Sequence, residues 1–204
     1  MFVLLALACV ATGDTRRVPS AAGDVAVRGA GDPSSVASEG PGAVALEAIA
    51  LLDARTGSGM TGRITFSQAP GSAPSVAVSI QLAGAGPGNH AVFLHETGDC
   101  SAPDASSAGG WFGPPGAPRR GSAGSGPTDL ASSSPPAGYL GFVTVSADGR
   151  GEKDLVLLAF TLDKAPGSLV DRAVVVYERA PDFTRGADPG VRQACGVIAA
   201  PIKG

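Results

Sequence analysis

Residues 88–114, GNHAVFLHETGDCSAPDASSAGGWFGP, join a β-like run to a loop that begins at a cysteine. The run HAVFLHET is bounded by turn residues and is predicted to be a strand. Gly, Ser, Pro and Asp then dominate as far as about Gly138, and these residues are typical of turns and loops. Compact domains seldom keep so long an irregular segment unless it is functional or tied down. We therefore expect Cys100 to pin the start of this loop.

The β-like pattern of this stretch recurs along the chain after Ala45. In residues 76–82, VAVSIQL, apolar side chains alternate with small or polar ones, the period of two that buries one face of a strand. Turn residues separate eight such runs, which are AIALLDAR, TGRITFSQ, SVAVSIQLAG, HAVFLHET, GFVTVSADG, DLVLLAFTLD, RAVVVYERA and ACGVIAA. The pattern predicts an all-β domain, an antiparallel barrel or sandwich of eight strands.

Composition limits the classes of function. The 204 residues carry 15 Lys and Arg against 18 Asp and Glu, without a basic stripe, so we expect no nucleic-acid partner. The chain has two histidines, His90 and His95, and its sequence shows no clustered carboxylate pair and no nucleophile–base–acid arrangement. Most histidine-based catalysis is thus excluded by count.

The segment that precedes the β-like runs predicts export to the periplasm or cell envelope. Residues 1–12 form an apolar run, too short to span a bilayer, that is typical of a signal segment. Cys9 is either the lipidation site of a lipoprotein signal, which would anchor the protein to the membrane, or an incidental cysteine in a cleaved signal. Residues 13–44 are rich in Ala, Gly, Ser and Pro, which predicts a disordered tether before a domain at residues 45–200.

Cys100 and Cys195 allow two interpretations. In an exported chain an even pair of cysteines predicts one disulfide, whereas in a cytosolic chain the same residues would be buried free thiols. Closing a loop of this length would restrict the unfolded chain by roughly 4 to 5 kcal/mol in the chain-entropy view. The signal-like N-terminus favours the disulfide.

Several blocks together resemble the copper/zinc superoxide dismutases, chiefly the exported bacterial branch. They are the opening stretch, TDL at residues 128–130, AVVVYERAPD at 173–182 and GVRQACGVIA at 190–199, in family order and at family spacing. The resemblance covers about residues 48–199. It implies an eight-stranded Greek-key β-barrel whose long loop is stapled by Cys100 to the strand that carries Cys195.

The resemblance also implies a metal site that this sequence has mostly lost. Of the family's copper and zinc ligands, the chain keeps His95 and Asp129. The other ligand positions hold Phe93, Trp111, Arg119, Gly126 and Tyr177. An indole offers only an N–H donor and no lone pair to a metal. We therefore expect no cofactor, and we expect Phe93 and Trp111 to pack together where the family has copper.

The other family positions have simpler interpretations. His95 is expected to be a hydrogen-bonded histidine at the surface or rim, and Tyr177 a strand residue whose hydroxyl finds a partner. His90 matches a structural histidine of the family and should point to the strand face opposite His95. Arg192 matches the arginine that guides superoxide toward copper. Without a metal, we expect Arg192 to serve surface solubility or a salt bridge.

Asp129 has two interpretations outside a metal site. It is either a loop carboxylate that accepts backbone N–H bonds or the partner of Arg119 or Arg120, whose fixed positive charge would stand where the family has zinc.

Two classes of function follow. The first is a catalytically inactive family member, a binding or structural module that meets an envelope partner or ligand. The second is an active superoxide dismutase or metal-binding protein that holds copper and zinc through His95, Tyr177 and Asp129, with Glu96 or Glu178. Dismutation requires a redox metal with an open coordination position, which the counted ligands do not provide, so we expect the first class.

Overall fold

The computed structural model describes residues 45–72, 74–114, 116, 135–136, 138–163, 165–185 and 188–203. Several positions named above lie outside the described residues, namely Cys9, Arg119, Arg120, Gly126, Asp129 and the segments 1–12 and 13–44. The signal segment, the tether, the lipidated cysteine and the pairing of Asp129 therefore stay predictions.

Strands make up the regular structure of the described residues, apart from one 3₁₀ helix at Ser106–Ala108. They are β1 (Leu46–Ala54), β2 (Thr61–Gln68), β3 (Ser75–Ala83), β4 (Gly88–His95), β5 (Tyr139–Val145), β6 (Gly151–Leu158), β7 (Ala173–Tyr177), β8 (Arg192–Val197) and the two-residue β9 (Ile202–Lys203). No helix in this part of the chain is long and apolar enough to cross a bilayer.

The strands pair antiparallel in the order β5-β4-β7-β8-β1-β2-β3-β6, with β9 beside β1. The connections from β3 to β4 and from β6 to β7 cross over to non-neighbouring strands, which is Greek-key connectivity. The two end strands, β5 and β6, are joined by a turn in which the Ser146 N–H donates to the Arg150 carbonyl at 2.9 Å. The eight long strands confirm the predicted all-β, nearly closed barrel.

Alternation along the strands places one side of each in the core. On β3 the four apolar side chains of VAVSIQL are buried, and the small or polar ones between them are exposed. Phe66, Ile64 and Ile80 are among the largest side chains that are fully buried inside the barrel. Burial of a side chain of this size stabilises the fold by roughly 1.5 to 3 kcal/mol.

The prediction of one strand across DLVLLAFTLD is wrong in its second half. β6 ends at Leu158, and Ala159 takes a left-handed φ of 65°, which breaks the extended ladder. Phe160 and Leu162 are nevertheless buried in the barrel core. Gln68 holds this segment, because its Oε1 accepts a hydrogen bond from the Leu162 N–H at 2.6 Å. The apolar residues of the run therefore fill the core from a loop.

The predicted disulfide between Cys100 and Cys195 is confirmed. It joins the loop that follows β4 to β8, across a sequence separation of 95 residues. Backbone hydrogen bonds hold the same loop near β4, from the Thr97 N–H to the Ala108 carbonyl at 3.0 Å and from the Phe112 N–H to the Leu94 carbonyl at 2.8 Å. The loop is thus fixed to the barrel by covalent and backbone contacts.

Candidate functional site

A second apolar cluster lies under this loop, apart from the barrel core. It consists of Ala91, Phe93, Ala105, Ala108, Trp111, Ala173, Val175, Tyr177 and Cys195, with Cys100, Tyr139 and Phe183 packed against it. We call it the loop-covered cluster. It forms because alternate residues of β4, β7 and β8 face away from the barrel core and the loop folds over them. A β-bridge between His95 and Trp111 brings the loop onto β4.

Aromatic rings fill the centre of the loop-covered cluster. Phe93 and Trp111 stack with ring centroids 4.4 Å apart and an interplanar angle of 9°. Tyr139 lies 4.9 Å from the Phe93 ring at a tilt, and Tyr177 meets the same ring edge-on at 5.3 Å. The contact between Phe93 and Trp111 confirms the expectation that these two residues pack together. Such pairs contribute about 0.5 to 1.5 kcal/mol beyond the area that they bury.

His95 is fully buried beside these rings, so the expectation of a surface or rim histidine is wrong. Its Nδ1 lies 2.9 Å from the Gly109 carbonyl oxygen, which can only accept a hydrogen bond, so Nδ1 carries the proton. The neutral ring then has its one lone pair on Nε2, and the Tyr177 hydroxyl donates to it at 3.1 Å. Burial, followed by the nearby Arg192 charge, lowers the pKa of His95 to about 3. The imidazole is therefore neutral at ordinary pH.

The Tyr177 hydroxyl is the junction of the polar contacts in the cluster. While it donates to His95, it accepts hydrogen bonds from Arg192 Nε at 3.1 Å and from Trp111 Nε1 at 3.4 Å. Burial raises the pKa of Tyr177, so the phenol stays protonated and its donor role is secure. The expectation that this hydroxyl finds a partner is confirmed, and it finds three.

Arg192 binds the loop, and the expectation of a surface or salt-bridge role is wrong. Its guanidinium is half-buried and donates from Nη1 to the Ala105 carbonyl at 2.6 Å and from Nη2 to the Gly109 carbonyl at 3.2 Å. These two carbonyls flank the 3₁₀ helix, and both residues have a positive φ, 56° in a left-handed conformation at Ala105 and 75° at Gly109. The loop conformation thus aims two neutral acceptors at one guanidinium. The sequence does not predict where those carbonyls point, and the glycines of SAGG are the one signal in it that indicates an unusual backbone conformation here.

His90 lies on the other face of β4, as expected. Its neighbours in the alternation, Val92 and Leu94, belong to the barrel core, whereas Phe93 belongs to the loop-covered cluster. The His90 ring nitrogens lie 3.1 Å from the Tyr177 carbonyl oxygen and 2.8 Å from the Gly86 carbonyl oxygen. His90 therefore fixes the backbone of Tyr177, whose side chain carries the network on the opposite side.

The comparison with protein families agrees with this fold and disulfide. Residues 60–198 match the sequence profile described as copper/zinc superoxide dismutase (SODC). The chain belongs to the copper/zinc superoxide dismutase family. It is 31% identical over 160 residues to a Cu-Zn superoxide dismutase of Deinococcus radiodurans, covering 74% of this chain and 82% of that relative. It is also similar to the crystal structure of the clock protein EA4, with a TM-score of 0.58, 29% identity, and coverage of 76% of this chain and 94% of the other.

The family positions can now be compared with the donors that are present. Among the described residues, no three His, Cys, Asp or Glu side chains lie together in a way that could hold a metal ion. Of the candidate carboxylates, Glu178 is paired with Arg179 at 2.9 Å and takes no part in the network at Tyr177. Asp129, Arg119 and Gly126 fall outside the described residues. The described part of this superoxide dismutase-family site thus offers a single imidazole lone pair, and the Tyr177 hydroxyl donates to it.

Chemically, the arrangement is a continuous chain of hydrogen bonds. It runs from the Arg192 and Trp111 N–H groups to the Tyr177 oxygen, then to His95 Nε2, and from His95 Nδ1 to the Gly109 carbonyl. Each of these atoms has the partner that its chemistry requires. Such a network fixes side chains and a loop, because satisfied buried polar groups rigidify their surroundings.

Proposed function

We propose that this member of the copper/zinc superoxide dismutase family is a metal-free, catalytically inactive domain that serves the cell envelope as a binding or structural module. The observation that carries the proposal is the hydrogen bond from the Tyr177 hydroxyl to His95 Nε2 at 3.1 Å. That nitrogen holds the one lone pair with which His95 could bind copper. In this domain the lone pair serves the hydrogen-bond network of the loop.

The donor set does not suit the copper chemistry of the family. Dismutation requires a metal that cycles between oxidation states and keeps an open coordination position. Phe93 has no donor atom, and the Trp111 indole has only an N–H, which Tyr177 already accepts. A copper ion at His95 would have to break the Tyr177 bond and separate rings stacked at 4.4 Å.

The proposed location is the exported, oxidising side of the membrane. The signal-like residues 1–12 and the tether-like residues 13–44 support it, and so does the Cys100–Cys195 disulfide, because disulfides persist mainly in oxidising compartments. On this proposal Cys9 is a candidate lipid anchor. The tether then lets the barrel stand off from the membrane to meet an envelope partner.

The test is metal analysis of the purified, oxidised protein after loading with copper and zinc, with dismutase activity assayed on the same sample. We expect neither bound copper nor activity. The matched control is the triple variant Phe93→His, Trp111→His and Tyr177→His, which restores three imidazoles beside His95 and should retain copper in the same procedure. Stoichiometric copper with activity in the wild type would favour the alternative, a dismutase with a rearranged ligand set, and would overturn the proposal.

A further inference from the structure

A pocket lies where the turn after β1 faces the start of the disulfide-bonded loop. It is lined by residues 54–57 on one side and by Cys100, Ser101, Pro103 and Asp104 on the other, and its volume is about 540 Å³. Pockets that bind small molecules have volumes of about 300 to 1,000 Å³. Neither His95 nor Tyr177 lines this pocket, so its chemistry is independent of the site at the family's ligand positions.

Hydrogen bonds fix the two walls of the pocket to each other and to β8. The Thr56 N–H donates to the Pro103 carbonyl at 3.0 Å, and the Thr56 hydroxyl donates to the Arg192 carbonyl at 2.7 Å. These bonds hold Thr56 at a φ of 52°, which is unusual for a β-branched residue. Backbone strain of this kind persists only where the surroundings enforce it, and it is concentrated at functional sites. The pocket is therefore preformed.

Arg55 supplies the positive charge of the pocket. Its Nε and Nη2 donate to the Cys100 carbonyl at 3.1 and 2.7 Å, and its Nη1 donates to the Ala54 carbonyl at 2.8 Å. A guanidinium has five N–H donors, so one N–H on Nη1 and one on Nη2 have no acceptor among the described residues. Within the same part of the chain, Arg55 also has no carboxylate partner. Two donors on one planar group match the two oxygens of a carboxylate.

Gly57 and Asp104 add a donor and a negative charge to the pocket. The Gly57 N–H has no acceptor in the chain that the structure describes, so it can donate to an anion. Asp104 is exposed, and hydrogen bonds from the side chain and N–H of Ser106 lower the pKa of its carboxyl, which is therefore charged at neutral pH. Asp104 repels phosphate and other multiply charged anions, whereas a ligand with one carboxylate and one ammonium group complements both Arg55 and Asp104.

We propose that this pocket binds a small zwitterion, an amino acid or a short peptide, with its carboxylate on Arg55 and the Gly57 N–H and its ammonium group on Asp104. Amino acids and short peptides share this pair of charges and differ in the distance between the two charged groups. The pocket gives the domain a ligand of defined chemistry, whether or not a metal binds at His95.

The experiment is an amide NMR titration of the full-length, oxidised protein with glycine, diglycine, acetate and inorganic phosphate. We expect a saturable shift of the Gly57 amide signal with at least one zwitterion. Its dissociation constant should be at least about tenfold lower than that of acetate, which lacks the ammonium group. Tighter binding of glycine than of diglycine identifies an amino-acid site, and the reverse order identifies a peptide site. No saturable shift with either zwitterion, or acetate or phosphate that binds as tightly, would overturn the proposal.

Matched variants assign the two charges. Arg55→Lys keeps the positive charge without the planar fork and should weaken zwitterion binding at least about tenfold. Arg63→Lys makes the same change at an exposed arginine of β2, outside the pocket, and should leave binding unchanged.

Asp104→Asn separates the ammonium contact from the carboxylate contact. It should weaken zwitterion binding to the level of acetate and leave acetate binding no weaker, a difference that general damage to the pocket would not produce. Because Arg55 also holds the Cys100 carbonyl, Trp111 emission checks that each variant keeps the loop closed. Zwitterion binding that Arg55→Lys and Asp104→Asn leave unchanged would contradict the proposed site.

Discussion

At the residue scale, the Tyr177 hydroxyl serves two buried groups and one half-buried group at once. It donates to His95 Nε2 and accepts from Arg192 Nε and Trp111 Nε1. Tyr177→Phe keeps the ring packing but leaves these groups without that partner, and each buried polar group left unsatisfied costs about 1 to 3 kcal/mol. We expect the free energy of unfolding to fall by roughly 3 kcal/mol, measured by urea denaturation at pH 7.

Tyr139→Phe is the control for this substitution, because Tyr139 packs against the same Phe93 ring and is only half-buried. Removing its hydroxyl should cost less than about 1 kcal/mol. If the two variants lost equal stability, the Tyr177 hydroxyl would not be the junction of the network.

His95 gives the protein a defined dependence of stability on pH. The pKa of His95 is about 3 in the folded state against an ordinary value of 6.5. Between pH 3 and pH 6.5, His95 is therefore protonated in the unfolded state and neutral in the folded state. Stability from His95 is therefore complete above pH 6.5 and declines as the pH falls toward 3, by about 1.4 kcal/mol for each pH unit.

The His95→Gln variant isolates this effect, because an amide can donate to the Gly109 carbonyl and accept from the Tyr177 hydroxyl without titrating. The difference in unfolding free energy between wild type and variant, measured from pH 7 to pH 4, should shift in favour of the variant as the pH falls. A constant difference across this range would contradict the buried, neutral histidine.

At the scale of elements, the loop over the cluster has more attachments than its disulfide. Arg192 holds the Ala105 and Gly109 carbonyls, and backbone bonds join the loop to β4. Reduction of Cys100–Cys195 should therefore lower the free energy of unfolding by roughly 4 to 5 kcal/mol, through the freer unfolded chain, and leave the folded loop closed.

Trp111 is the single tryptophan of the chain, so its fluorescence reports directly on whether the loop stays closed after reduction. It is 7% exposed and stacked on Phe93, so its emission should stay blue-shifted after reduction in native buffer while the urea midpoint falls. A red shift on reduction, without urea, would mean that the disulfide alone keeps the loop closed.

The elements also show how far the sequence predicts this fold. Period-two alternation located eight strands, because burial of one sheet face dictates that pattern. It misplaced the end of β6, since Phe160 and Leu162 are as apolar as strand residues but fill the core after the left-handed Ala159. The contact of Phe93 with Trp111 followed from the family resemblance. The partners of Arg192 did not, because they are backbone carbonyls whose direction depends on loop conformation.

At the scale of the whole molecule, the barrel core and the loop-covered cluster pack against opposite faces of strands β4, β7 and β8. The barrel core is packed from apolar side chains, and the loop-covered cluster places aromatic rings and a satisfied hydrogen-bond chain at the family's ligand positions. Burying Phe93 and Trp111 contributes roughly 1.5 to 3 kcal/mol each, which can offset the folding energy that a bound metal would otherwise supply. The proposed absence of metal from this domain is thus compatible with a stable fold.

The measurement that tests this account most directly is the urea midpoint of the oxidised protein in a chelator, compared with the midpoint in excess copper and zinc. A ligand that binds only the folded state at 100 times its dissociation constant adds about 2.7 kcal/mol to the free energy of unfolding. We predict equal midpoints under the two conditions. A midpoint that rises with either metal would contradict a domain whose stability rests on Phe93, Trp111, Tyr177 and His95.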